Sequence, residues 1–112
     1  MPGPLEGLKV LELIRVAPGA FCTMMLADMG AEVLKIETPP AEVSAADTSQ
    51  ESQAARRAAF QFVNRNKQSI AINLKHLAGQ KILHRLASNA DVLVEGFRPG
   101  VMARLGGWVS PD

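Results

Sequence analysis

Residues 8–37, LKVLELIRVAPGAFCTMMLADMGAEVLKIE, decide the fold. The run LKVLELI at 8–14 is rich in apolar residues and is bounded by Gly7 and the turn-forming pair Pro18-Gly19, which predicts a mostly buried strand. FCTMMLADM at 21–29 is a compact run of helix formers ended by Gly30, a typical helix stop. EVLKIE at 32–37 reads as a second strand. Parallel neighbours need a crossover between them, and strand, turn, helix and strand in this order fit one right-handed βαβ unit.

Downstream, the composition changes at 38–53 to Pro39-Pro40 followed by Ala, Ser, Asp, Thr and Glu, with almost nothing to bury. This predicts a mobile surface loop inside a single domain that spans 1–112. AARRAAFQFV at 54–63 fits a short helix, and QSIAIN at 68–73 alternates as a strand does. Residues 76–88 carry Leu77, Ile82, Leu83 and Leu86 near helical spacing, and DVLVE at 91–95 closes as another strand. The alternation predicts an α/β three-layer domain with a mainly parallel sheet, without internal repeats. Ligands of such sheets lie outside the carboxyl ends of the strands, so the candidate loops are 15–20, 37–40, 73–75 and 96–100.

At 112 residues, 47% hydrophobic and 21% charged, the chain has the composition of one small globular domain. Its 12 basic and 11 acidic side chains nearly cancel and form no block of like charge, which argues against a nucleic-acid partner. The single cysteine, Cys22, cannot close an intrachain disulfide, and the start Met-Pro-Gly-Pro lacks the basic then apolar pattern of a secretion signal. The expected location is therefore the cytoplasm. No apolar run approaches the ~20 residues that cross a bilayer, so a membrane span is not expected.

Few residues carry chemistry on their own terms. The loop RVAPGA at 15–20 leads into a helix whose free N–H groups and dipole suit a phosphate or carboxylate, although Pro and Gly also serve a plain strand-to-helix turn. Its one glycine does not make the G-x-G-x-x-G of dinucleotide sites. Glu37 nevertheless stands about 20 residues on, where a ribose-binding acid would be, which leaves a nicotinamide cofactor as an alternative. NRNK at 64–67 reads as a solvated turn. Arg98 and Arg104 bracket a helix start at Pro99 beside the flat face of Phe97. That set suits a phosphorylated, ring-bearing ligand, and equally fits a helix end with ordinary surface arginines. His76 and His84 lack the carboxylate or cysteine of a metal site or catalytic triad. Cys22, Met24, Met25 and Met29 are read as core filling, and Asp28 and Glu32 have no obvious acid/base partner.

Four segments taken together are more specific: PLEGLKVLEL at 4–13, VAPGAFCTMMLADMGAEVLKIE at 16–37, NRNKQSIAINLK at 64–75 and ADVLVEGFRPGVMARLG at 90–106. In order and spacing they resemble the family III acyl-CoA transferases, the group that includes the carnitine and bile-acid CoA-transferases and the α-methylacyl-CoA racemases. The resemblance implies a Rossmann-like large domain that binds acyl-CoA or free coenzyme A as substrate, needs no further cofactor, and pairs into an interlocked homodimer. By position, Val16, Ala17, Ile72, Lys75, Gly96, Phe97 and Arg104 match residues lining the coenzyme A site. Lys75 and Arg104 would meet phosphates, while Val16, Ile72 and Phe97 would pack beside the adenine or pantetheine portions. Arg98 looks like the arginine found there in the racemase branch.

Two departures qualify what the resemblance implies. Thr38 stands where members often carry a basic residue. The aspartate that forms the acyl anhydride in the transferases, and the His and Asp pair of the racemases, would both fall beyond Asp112. GWVSPD after Gly106 no longer resembles the family, as in a truncated or frameshifted product. The expectation is an acyl-CoA-binding part of a CoA-transferase, inactive alone. A racemase fragment and a non-catalytic binding module or decayed fragment are the alternatives.

Overall fold

The computed structural model describes residues 3–14, 17–39, 62–97 and 100–104, apart from the side chains of residues 17 and 104. In chain order the elements are β1 (Lys9–Leu13), α1 (Ala17–Asp28), β2 (Glu32–Glu37), β3 (Lys67–Ala71), α2 (Leu77–Ser88), β4 (Val92–Glu95) and α3 (Val101–Arg104). The strands form a sheet in the order β3-β2-β1-β4, and each of its pairings is parallel. Val10 of β1 lies opposite both Val33 of β2 and Val92 of β4, so β1 is hydrogen-bonded on both sides.

Alternate residues of β1 face opposite layers. Val10 packs with Ala27 and Leu26 of α1, whereas Leu11 and Leu13 pack with Leu83 and Leu86 of α2. The helices therefore cover opposite faces, and the chain is an α/β three-layer domain, as the alternation of elements predicts. Gly30 ends α1 at φ 103, the left-handed region open to glycine. There the Gly30 N–H donates to the Ala27 carbonyl at 3.0 Å and the Ala31 N–H to the Leu26 carbonyl at 3.1 Å, a Schellman closure.

Several boundaries depart from the expectations. Helix α1 begins at Ala17 rather than at residue 21, because Pro18 sits in the first turn, where a missing N–H costs nothing. Gly19 is helical too, and a Cβ there would stand 2.6 Å from Ile14 Cδ1. Strand β3 runs over 67–71 rather than 68–73, ending with Ala71 opposite Glu37, the last residue of β2. Thr38 and Pro39 have no regular structure, and the rest of the expected loop at 38–53 lies outside the described residues. Of the helix expected at 54–63, only Phe62 and Val63 are described, and both stand in a turn. The helix expected to start at Pro99 is described from Val101.

Helix α1 is apolar all round, so periodicity could not choose its buried face. Ala20, Met24 and Ala27 turn to the interior. Cys22, Met25 and Met29 are exposed, against the expectation of core filling, because one helix on one sheet face buries only one stripe.

The turn at 62–66 is clipped onto this helix. Arg65 Nη2 donates to Asp28 Oδ2 at 2.6 Å and Nε to Oδ1 at 3.2 Å. Asn66, left-handed at φ 63, adds a bond of 3.0 Å from Nδ2 to the same carboxylate. The guanidinium also lies 5.3 Å from the centre of the Phe62 ring, itself 6.4 Å from that of Phe21. Asp28, without an obvious partner in the sequence, is thus held below the usual aspartate range, first by the Arg65 hydrogen bond, and Arg65 is raised by the same contact.

A lowered carboxyl stabilises the fold above its unfolded pKa of about 3.9, and the contribution disappears as pH falls through the lower folded value. Asp28→Asn should therefore be less stable than the parent near neutrality, with the gap closing in acid. Urea midpoints from pH 7 down to about pH 2 measure this. A gap that stays constant would contradict the clip.

Candidate functional site

Strands β2 and β3 lie on one side of β1 and β4 on the other, so the order of strands reverses beside β1. The connections there leave toward opposite faces and open a crevice at the carboxyl ends. A cleft of about 240 Å³ occupies this position. Leu13 closes it from the end of β1, Glu37 and Thr38 from β2, Ile72 and Lys75 from the loop after β3, and Phe97 from the loop after β4.

The loop after β3 is held by its own polar groups. The Ile72 N–H donates to the Glu37 carbonyl at 2.9 Å, carrying the sheet pairing to the floor of the cleft. Asn73 Oδ1 accepts the Lys75 N–H at 3.0 Å, closing a side-chain turn, and Gln80 Nε2 donates to the Leu74 carbonyl at 3.0 Å. Lys75 is exposed, and α2 starts two residues later. His76 at the N-cap makes no side-chain capping bond, so first-turn N–H groups and the positive end of the helix dipole stand next to the Lys75 cation.

The acids at the strand ends are already engaged. Glu37 Oε1 is 3.6 Å from Lys35 Nζ, and Glu95 Oε2 accepts the Phe97 N–H at 2.8 Å. What remains is a cation and a helix N-terminus beside apolar walls, a combination suited to a ligand with an anionic and an apolar part. A second cleft of about 200 Å³ opens at the other end of β1 and β2, with Lys9, Glu32, Gln68 and Asn89 in its wall. It adjoins the carboxyl end of α2, whose negative dipole end disfavours an anion. Among the described residues, no group of His, Cys, Asp and Glu could hold a metal ion, and no helix is long and apolar enough to cross a membrane.

Comparison with known proteins decides the family, since the profile described as CoA-transferase family III matches residues 5–107. The chain belongs to CoA-transferase family III. It is 44% identical over 103 residues to human succinyl-CoA:glutarate CoA-transferase, covering 92% of this chain and 24% of that protein. It is likewise 44% identical over 104 residues to acetyl-CoA:oxalate CoA-transferase of Acetobacter aceti, covering 93% and 26%. The crystal structure of a CaiB/BaiF family protein from Brucella suis superposes with a TM-score of 0.75 at 32% identity, over 94% of this chain and 29% of that one. The chain thus spans about a quarter of the length of the relatives it matches.

Of the residues singled out in the sequence, Ile72, Lys75 and Phe97 meet in the cleft of this family III chain. Ile72 is only 6% exposed and belongs mainly to the core beside Leu83. Gly96 precedes Phe97, and its N–H donates to the Leu13 carbonyl at 3.2 Å. Ala17 opens α1 and Arg104 closes α3, with side chains outside the described residues. Val16 and Arg98 lie outside them altogether.

Lys67 escaped the sequence reading. It is no part of a solvated turn: its side chain is 2% exposed, and its Nζ lies 2.8 Å from Oε1 of Glu12, which is fully buried. The signal was a carboxylate inside the apolar run LKVLELI, since a charge in a strand buried on both faces requires a counter-ion.

Gly79 sets how closely α2 approaches the loop at 73–75. A Cβ there would collide with the Asn73 carbonyl and come within 3.1 Å of Ile72 Cγ2. Overpacking costs about 1–3 kcal/mol, more than the up to ~1 kcal/mol that alanine gains in helix propensity. Gly79→Ala should therefore lower the urea midpoint. A midpoint equal to or above that of the parent would contradict this packing.

Proposed function

We propose that this chain is the acyl-CoA-binding part of a CoA-transferase, receiving the coenzyme A moiety in the cleft at the carboxyl ends of the strands. The observation that carries the reading is the pairing, in one cleft, of the Lys75 cation, two residues before the start of α2, with the apolar surfaces of Phe97 and Leu13. A phosphorylated ligand with an aromatic base and an alkyl arm needs both. Lys75 and Arg104 hold phosphates, and Val16, Ile72 and Phe97 pack beside the adenine or pantetheine. Ala17, Gly96 and Arg98 complete the lining.

Transfer of coenzyme A from an acyl-CoA to a carboxylic acid requires a carboxylate that attacks the thioester carbonyl and carries the acyl group as an anhydride before forming its own thioester. Among the described residues, Glu37 and Glu95 are the acids at the strand ends that lead into the cleft loops, and each already serves a neighbour. This supports a nucleophile supplied from elsewhere in a family-length polypeptide, so that these residues bind and orient the thioester. The names of the two enzymes compared above, which pair a coenzyme A donor with glutarate or oxalate, favour transfer over racemisation and favour a dicarboxylate acceptor.

Titration calorimetry of coenzyme A into the 112-residue protein tests the binding assignment. Lys75→Ala and Arg104→Ala should each weaken binding by about 1.5–3 kcal/mol, the loss typical of a charge-assisted hydrogen bond. Unchanged affinity in both variants would remove these residues from the site.

A further inference from the structure

Among the described residues, the polar side chains in the wall of the carboxyl-end cleft are Glu37, Thr38, Asn73 and Lys75. Asn73 is turned back on its own loop, where Oδ1 accepts the Lys75 N–H. Glu37 is placed differently. Its side chain is 44% exposed, and its ion pair with Lys35, at 3.6 Å from Nζ to Oε1, is longer than a hydrogen bond. The carboxylate therefore keeps acceptor capacity for a ligand in the cleft. Its backbone is fixed: Glu37 closes β2, and its carbonyl accepts the Ile72 N–H at 2.9 Å, which ties it to the loop that carries Lys75.

An acid at the carboxyl end of the second strand of a βαβ unit is the device by which such sheets accept a ribose hydroxyl. The same acid opposes a phosphate on that sugar, because two negative groups a few ångströms apart repel, and sheets that take a ribose phosphate bring an arginine to the spot. Here the residue after Glu37 is the uncharged Thr38, followed by Pro39. The Lys35 side chain is 12% exposed, is held by Asn64 Oδ1 at 3.1 Å and has no place in the wall of the cleft. It offsets the charge of Glu37 and leaves no surplus positive charge at the end of β2. The cation in the wall, Lys75, lies on the loop after β3, beside the start of α2.

Coenzyme A carries a phosphate on its ribose 3′-oxygen, next to a free 2′-hydroxyl. We infer that Glu37 is a specificity-determining residue for the nucleotide end of the ligand: its carboxylate accepts the ribose 2′-hydroxyl, and the end of β2 gives the neighbouring 3′-phosphate no favourable contact. The inference rests on the coenzyme A reading above and adds which groups of the ligand are read. Affinity comes from the diphosphate at Lys75 and from the apolar walls. Dephospho-CoA, which lacks the 3′-phosphate, is consequently as good a ligand as coenzyme A.

Calorimetric titration of the 112-residue protein with coenzyme A and, separately, with dephospho-CoA tests this. The parent should bind the two within about 3-fold of each other. Thr38→Arg puts a cation at the end of β2 and should tighten coenzyme A relative to dephospho-CoA by about 10-fold. Glu37→Gln keeps an acceptor and removes the charge, so it should weaken dephospho-CoA by roughly 3- to 10-fold and move the ratio the same way as Thr38→Arg. A parent that binds coenzyme A with a stronger preference than this would overturn the inference and leave the coenzyme A reading standing. A ratio that neither substitution moves would do the same. A parent that binds neither ligand would sink the coenzyme A reading and this inference with it.

Discussion

A carboxylate in the strand buried on both faces constrains everything around it. Glu12 sits in β1 with β2 and β4 on either side, one helix above and another below, and none of its surface reaches solvent. An unpaired charge there would cost several kcal/mol, so the fold must bring a cation to it. Lys67 does so from the first residue of β3, which places that strand in register with β2 and turns Thr23 of α1 inward. The turn before Lys67 is then held on α1 through Arg65, Asn66 and Phe62. One electrostatic requirement thus joins β1, α1 and β3, and the first and last of these run on into the cleft at Leu13, Ile72 and Lys75.

The apolar core on the α2 side continues into that cleft. Leu11, Leu13, Ile36, Ile72 and Leu83 form one cluster, and Phe97 packs against it. The wall of the cleft is consequently the exposed end of the core. Direction matters as well: parallel strands put the start of α2 and Lys75 at one end of the sheet and the closing residues of α2 at the other. Of the two clefts, only the one at the carboxyl ends offers an anion favourable dipoles.

Much of this was legible in the sequence, for identifiable reasons. The apolar run of β1, Gly30 as the stop of α1 and the leucine spacing of α2 are local signals, and they placed those elements to within a residue or so at most ends. The start of α1 was not legible, because a Pro-Gly pair serves a turn and a first helical turn equally well. Lys67 was misread because polarity along a chain says nothing of depth. The exposure of Met25 and Met29 was hidden by a helix without a polar face. For the site, the rule that ligands gather at carboxyl ends named three loops that do line the cleft, through Glu37, Lys75 and Phe97. Residue chemistry alone did not separate coenzyme A from another phosphorylated ligand. Family membership, together with the joint presence of a cation and apolar walls, is what supports the proposal of coenzyme A.

The central claim is that coenzyme A docks at the carboxyl ends of the strands. Mapping backbone amide chemical shifts during titration of ¹⁵N-labelled protein with coenzyme A tests it most directly. The largest changes should fall at Thr38, Asn73, Lys75 and Phe97, around the cleft beside the start of α2. Changes concentrated instead at Lys9, Gln68 and Asn89, around the cleft at the opposite end of the sheet, would contradict it.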